Sequence, residues 1–182
     1  MELQTIINNA IEARRAEEMK NSTQLTLGEL ILKLEAVTNK ELPVFFDKTK
    51  YRPTGIGSWR GSYRELAISY TPDGVYGGYN GTTVEHEIGG DKFYNTVSTA
   101  LPEKPTARDF IDKLKECLGK TFVGYKGGDF LMGKTTPVWV ANESQCSGFL
   151  KEKDSEYNSD QSIVDVTETA KKIILNTQKT DY

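Results

Sequence analysis

One histidine and two cysteines in 182 residues leave little from which to build a metal centre. Zinc needs several His, Cys or carboxylate ligands at fitting spacing. His86 stands far along the chain from Cys117, and Cys146 is further still, so no histidine–cysteine zinc site is expected. No acidic triplet stands out as a magnesium site either. The cysteine spacing suggests no disulfide framework, and two reduced thiols of a cytosolic protein are the plainer reading. Apolar runs are short. None approaches the roughly 20 residues needed to span a bilayer, and residues 1–20 lack the basic leader and apolar core of a secretory signal. A protein that remains in the cytoplasm, with no membrane partner, is expected. Basic surplus is missing too, since the formal net charge is −3. Phosphate neutralisation dominates affinity for duplex DNA, so that partner is disfavoured. Neither a P-loop nor a dinucleotide-binding glycine fingerprint occurs.

What remains is globular. Hydrophobic content is 37% and charged content 27%, and a chain of this length can bury a core without staples. Leu3, Ile6, Ile7, Ala10 and Ile11 recur at helical spacing, predicting an amphipathic N-terminal helix over 1–22 that docks on its own domain or pairs with a second copy. Thr26-Leu27-Gly28-Glu29 reads as a capping box with Leu25 and Leu30 as staple, opening a helix over 27–37. Thr106 with Asp109 opens another, over 107–118, ending at Gly119.

Strands are expected at 43–47, 65–70 and 82–88, and a short helix at 91–101. Residues 121–125, 129–133 and 136–141 should form a meander that pairs with the strands at 43–47 and 65–70. The segment 162–177 favours two strands around Thr169-Ala170, because Ile, Val and Thr dominate it. The expected fold is α+β: a mainly antiparallel sheet with two packed helices and an extra N-terminal amphipathic helix. Residues 23–182 form a single domain, with an insert at about 72–104 and a polar loop at about 150–161.

Chemistry-bearing residues are few. His86, in Val84-Glu85-His86-Glu87-Ile88, is the only candidate for an ordinary neutral-pH base, and a half-buried strand histidine is the plainer reading. Residues 43–80 hold eight of the eighteen aromatics, interleaved with Lys48, Lys50, Arg52, Arg60 and Arg64. Aromatic faces stack on bases and arginine forks match phosphate oxygens, so this clustering suits a nucleotide; the alternative is core aromatics with the cations as a solvated rim. Phe45, Phe46 and Tyr70 read as core. Trp59, Arg60, Gly61 and Tyr63 form one candidate ligand-binding loop, and Tyr125, Lys126, Gly127 and Gly128 a second. In each, a ring precedes a cation and a glycine gives room for backbone approach to an anion.

An ordered series of segments, T-L-G-E-L, G-S-W-R-G-S-Y-R-E-L-A-I, T-A-R-D-F, F-V-G-Y-K-G-G-D-F-L-M-G and T-P-V-W-V-A, resembles a family of small bacteriophage-encoded proteins of uncharacterised role. The resemblance spans roughly residues 25–149. The stretch 72–104 is longer than in that pattern, and the N-terminal helix is an addition. The resemblance implies a phage accessory protein without an established reaction, acting against host defence. Three readings follow in order: capture of a nucleotide signal of the cyclic dinucleotide or cyclic ADP-ribose type, without turnover and with no cofactor; direct inhibition of a host defence protein; and cleavage of a nucleotide with His86 or a carboxylate as base. A homo-oligomer, formed through the N-terminal helix, is expected.

Overall fold

The computed structural model describes residues 2–47, 52–58, 66–70, 81–98, 100–123, 129–140 and 161–179. Helix α1 (Leu3–Met19) is followed by α2 (Leu27–Ala36), where the capping box forms as the sequence requires. The Glu29 amide donates to Thr26 Oγ1 at 3.3 Å, and the Thr26 amide donates to Glu29 Oε2 at 2.9 Å. Leu27, Leu30, Ile31 and Leu34 make its buried face. The third helix, α3 (Ala107–Cys117), repeats this device with Thr106 and Asp109. It is stopped at Gly119, whose φ of +79° suits glycine and whose amide donates to the Met132 carbonyl at 2.7 Å. α2 and α3 pack on each other, and α2 also lies on the sheet.

Among the described residues there are two sheets. The larger has six strands in the order β1 (Val44–Phe46), β10 (Ile173–Lys179), β9 (Gln161–Glu168), β8 (Val138–Val140), β3 (Leu66–Tyr70) and β2 (Pro53–Ser58). The smaller has four, in the order β5 (Asp91–Ser98), β4 (Gly81–Ile88), β6 (Thr121–Val123) and β7 (Asp129–Leu131). Pairing is antiparallel throughout the described ladders except at β1–β10 and β3–β8, so the large sheet is mixed. The α+β class and the two packed helices stand as expected.

The large sheet is curled, because β1 and β2 occupy its opposite edges and yet touch. The segment 100–106 lies along both of those edges. The Leu101 amide donates to the Thr54 carbonyl of β2 at 2.9 Å, and the Val44 amide of β1 donates to the Pro105 carbonyl at 3.0 Å. One stretch of chain thus satisfies backbone groups on both sides of the seam, which would otherwise present unpaired strand edges. The core fills with Val44, Phe46, Ile56, Val138, Val140, Ile163, Ile173 and Leu175 from the sheet, against Phe110, Ile111 and Leu114 from α3 and the apolar face of α2.

Four expectations need correction. The stretch 91–101 is strand β5 over most of its length, not helix. Gly89 and Gly90 have φ of +63° and +92°, the reversal a two-residue hairpin turn needs, so Ile88 pairs with Asp91 and the chain returns as a second strand. The meander is divided between two sheets: β6 and β7 join β4, while β8 joins β3 and β9. A strand at 53–58, absent from the expected set, lies between those at 43–47 and 65–70, and it sits at a sheet edge, where proline is tolerated. The strand at 43–47 pairs with β10 and not with the meander. The segment 162–177 is a hairpin as expected, turning at Thr169–Lys172.

Helix α1 docks on its own chain, by polar contacts. Arg15 is only 4% exposed and donates through Nη1 to the Leu131 carbonyl at 2.6 Å and to Thr136 Oγ1 at 3.0 Å. Glu12 accepts from the Thr135 amide at 2.8 Å and from the Thr135 hydroxyl. The predicted aliphatic stripe remains largely outside: Leu3 is 73% exposed, Ile6 51% and Ile7 43%.

Candidate ligand-binding site

Trp59, Arg60, Gly61 and Tyr63 lie outside the described residues, as do Tyr125, Lys126, Gly127 and Gly128. The strands that flank them are described. Ser58 pairs with Leu66 at the end of the β2–β3 ladder, so residues 59–65 connect two antiparallel strands of the large sheet. Val123 pairs with Asp129, so residues 124–128 connect β6 and β7 in the small sheet. Each ring–cation–glycine triplet thus falls in sequence between two strands that pair with each other, one pair in the large sheet and one in the small.

A further aromatic–cation arrangement is fully in view. Strand alternation sends Val44 and Phe46 into the core, with Phe46 1% exposed, and leaves Phe45 half-buried on the other face. Phe46 is the core residue the sequence suggested; Phe45 is not. The Arg52 guanidinium carbon lies 4.5 Å from the centre of the Phe45 ring, and Lys172 Nζ lies 5.4 Å from it. Such contacts contribute about 0.5–2 kcal/mol each, more as the cation is desolvated.

Local chemistry constrains the backbone at all three positions. Phe45 is in register with Ile174. Arg52 precedes Pro53, which holds the residue before it extended. Lys172 closes the β9–β10 turn, where Thr169 Oγ1 accepts from the Lys172 amide at 3.1 Å and donates to the Lys172 carbonyl at 2.8 Å. Arg52 belongs to the cation run that the sequence marked, but nothing in the Lys171-Lys172 dipeptide signals its meeting with β1. That meeting depends on the parallel β1–β10 pairing.

Elsewhere several described cations meet carboxylates. Lys33 pairs with Asp165 at 2.7 Å, Arg108 with Glu41 at 2.6 Å, Lys113 with Glu116 at 2.8 Å, and Lys115 with Glu35. The Lys33 ammonium holds the Asp165 carboxyl below its ordinary value. Glu168 is lowered by the Thr38 and Asn39 amides, which donate to it at 2.8 and 2.9 Å as the chain leaves α2. Cys117 is buried in the core, and burial, with Glu116 adding to it, pushes its thiol up to about 11. A thiolate is the nucleophilic form, so Cys117 is unsuited to covalent chemistry near neutral pH. His86 lies in β4, in register with Phe93 of β5. Among the described residues no group of three or more His, Cys, Asp or Glu could hold a metal ion, and no helix is long and apolar enough to cross a membrane.

No family model, no curated protein and no solved structure matches this chain.

Proposed function

We propose that this chain is a phage counter-defence protein that captures a nucleotide immune signal in the host cytoplasm and does not turn it over. The observation that carries the reading is that each ring–cation–glycine triplet falls in sequence between two strands that pair with each other, at Ser58–Leu66 and Val123–Asp129. The resemblance of these same two segments to the phage family is its second support. In this reading Trp59, Tyr63 and Tyr125 stack on bases, Arg60 and Lys126 neutralise phosphate, and the amides of Gly61, Gly127 and Gly128 approach its oxygens. Hydrogen bonds to charged groups contribute about 1.5–3 kcal/mol each. Arg60→Ala and Lys126→Ala should each weaken binding by that amount and leave the unliganded melting temperature nearly unchanged. The check is calorimetric titration with cyclic dinucleotides and cyclic ADP-ribose isomers. Absence of binding by the unmodified protein, or equal binding by both variants, rejects the reading.

A second reading, direct inhibition of a host defence protein, is favoured by one observation. Leu3, Ile6 and Ile7 present an exposed aliphatic stripe on a helix that is anchored further along, at Glu12 and Arg15. The same stripe suits self-association, and a homo-oligomer belongs to this proposal. Mass spectrometry of material co-purified from infected cells separates the readings: a small nucleotide supports the first, a stoichiometric host polypeptide the second.

A further inference from the structure

We propose that Phe45, Arg52 and Lys172 form a phosphoryl-binding site at the seam of the curled sheet, made of residues other than those of the two candidate loops. Three stretches of chain converge there: β1, the residue before β2, and the β9–β10 turn. All three side chains are half-buried. Two like charges rest on one ring, and among the described residues neither the Arg52 guanidinium nor the Lys172 ammonium has a carboxylate partner. Lys33, Arg108, Lys113 and Lys115 each have one.

A ring face attracts each cation without neutralising it or satisfying its N–H donors in strong hydrogen bonds. Two partly desolvated cations within 4.5 and 5.4 Å of one ring centre repel, and a dianion that reaches both removes that repulsion while accepting from each. The charge matches a phosphoryl group: one guanidinium fork and one ammonium against two negative charges. The anchoring is stiff. Pro53, the Thr169 hydroxyl and the β1–β10 register hold the three backbones in place before any ligand arrives. The phosphoryl group can come from a free phosphate or from a nucleotide. Because Phe45 is already engaged by two cations, its face adds no stacking for a base, and the site reads phosphate alone.

The test uses the full chain and three probes: inorganic phosphate, pyrophosphate and adenosine monophosphate, titrated by calorimetry and by phosphorus NMR. Saturable pyrophosphate binding that weakens with added salt is expected for the unmodified protein. Arg52→Gln and Lys172→Gln should each weaken it about tenfold or more, the scale of one lost charged hydrogen bond. Lys172→Arg, which keeps the charge, should retain it, as should Arg60→Ala and Lys126→Ala. Adenosine monophosphate should bind no better than phosphate; clearly tighter binding means that a base is read and overturns the phosphate-only site. No saturable pyrophosphate binding by the unmodified protein, or unchanged binding in both glutamine variants, overturns the proposal. If either glutamine variant melts early, Lys172→Arg decides: loss of binding by this charge-conserving, folded variant also counts against the site. Because the residues differ from those of the two candidate loops, this site and the nucleotide-capture reading stand or fall separately.

Discussion

Arg15 donates to the main-chain carbonyl of Leu131 at 2.6 Å across 116 residues of sequence, and so a helix that otherwise faces solvent is held by a buried charge. The guanidinium satisfies the Leu131 carbonyl and Thr136 Oγ1 together. Removing it leaves polar groups buried with fewer partners. Arg15→Ala should therefore destabilise the protein by about 1.5–3 kcal/mol, the range for hydrogen bonds to a charged group. Urea denaturation measures this, with Arg15→Lys recovering part of the loss. A change under about 0.5 kcal/mol, the usual size of a surface substitution, would mean that α1 contributes no stability through this residue.

The neighbouring contact gives a second way to loosen the helix. A Cβ at Gly133 would overlap the Glu12 carboxylate, which accepts from the Thr135 amide and hydroxyl. In Gly133→Ala the flexible Glu12 side chain must leave, because it can move more cheaply than backbone. Limited proteolysis should then cut around residues 20–24 well before the core is attacked, and light scattering should respond if Leu3, Ile6 and Ile7 join copies. A protein beginning at Ser22 is the reference for complete loss of the helix. Equal oligomeric state in the full and shortened proteins would assign the stripe to something other than self-association.

Cys117 should be silent toward thiol reagents in the folded protein at pH 8. Its thiol is buried and raised to about 11, so little thiolate is present and access is blocked. Labelling followed by peptide mapping should find Cys117 modified only after denaturation. Modification of the native protein at the rate of a free thiol would show that the α3 end opens readily.

Acid should loosen the link between α2 and the β9–β10 hairpin. Glu168 is held below its ordinary value by the Thr38 and Asn39 amides, so its folded form binds a proton less readily than its unfolded form. Stability from such a group is complete above the unfolded value and is lost as pH falls through the folded one. The loss should therefore begin below the ordinary glutamate value of 4.5. Glu168→Gln should flatten this part of the stability–pH curve, read by thermal melting between pH 3 and 7. An unaltered slope would show that the two amide contacts do not tune the group.

Local devices were the legible part of this chain. Thr26 with Glu29 and Thr106 with Asp109 each act within a single turn, and both helices begin where those pairs place them. The β9–β10 hairpin was readable for a similar reason, since β-formers flank one short turn. Partnership between distant strands was not. β8 pairs with β3 and β9 although β7 precedes it by only a few residues, because sheet membership depends on burial against α2 and α3 and not on proximity in sequence. The Phe45 arrangement was half legible: alternation with Phe46 could have placed its ring on the outer face, but Lys172 arrives only through a parallel pairing. Arg15 gave no signal, as one charge among several at the end of an amphipathic pattern.

The strand order also governs when the molecule can become itself. Among the described ladders, β1 pairs only with β10, and β10 lies between β1 and β9. Val44–Phe46 emerge early in synthesis and wait for Ile173–Leu175 before their backbone has a strand to join. Contacts spanning so much sequence carry a large loop-closure entropy, which slows folding. A stop codon before Ile173 would therefore do more than shorten the chain. It would leave β1 without its strand partner and the waiting intermediate with an exposed edge, a form more prone to aggregation than to partial function.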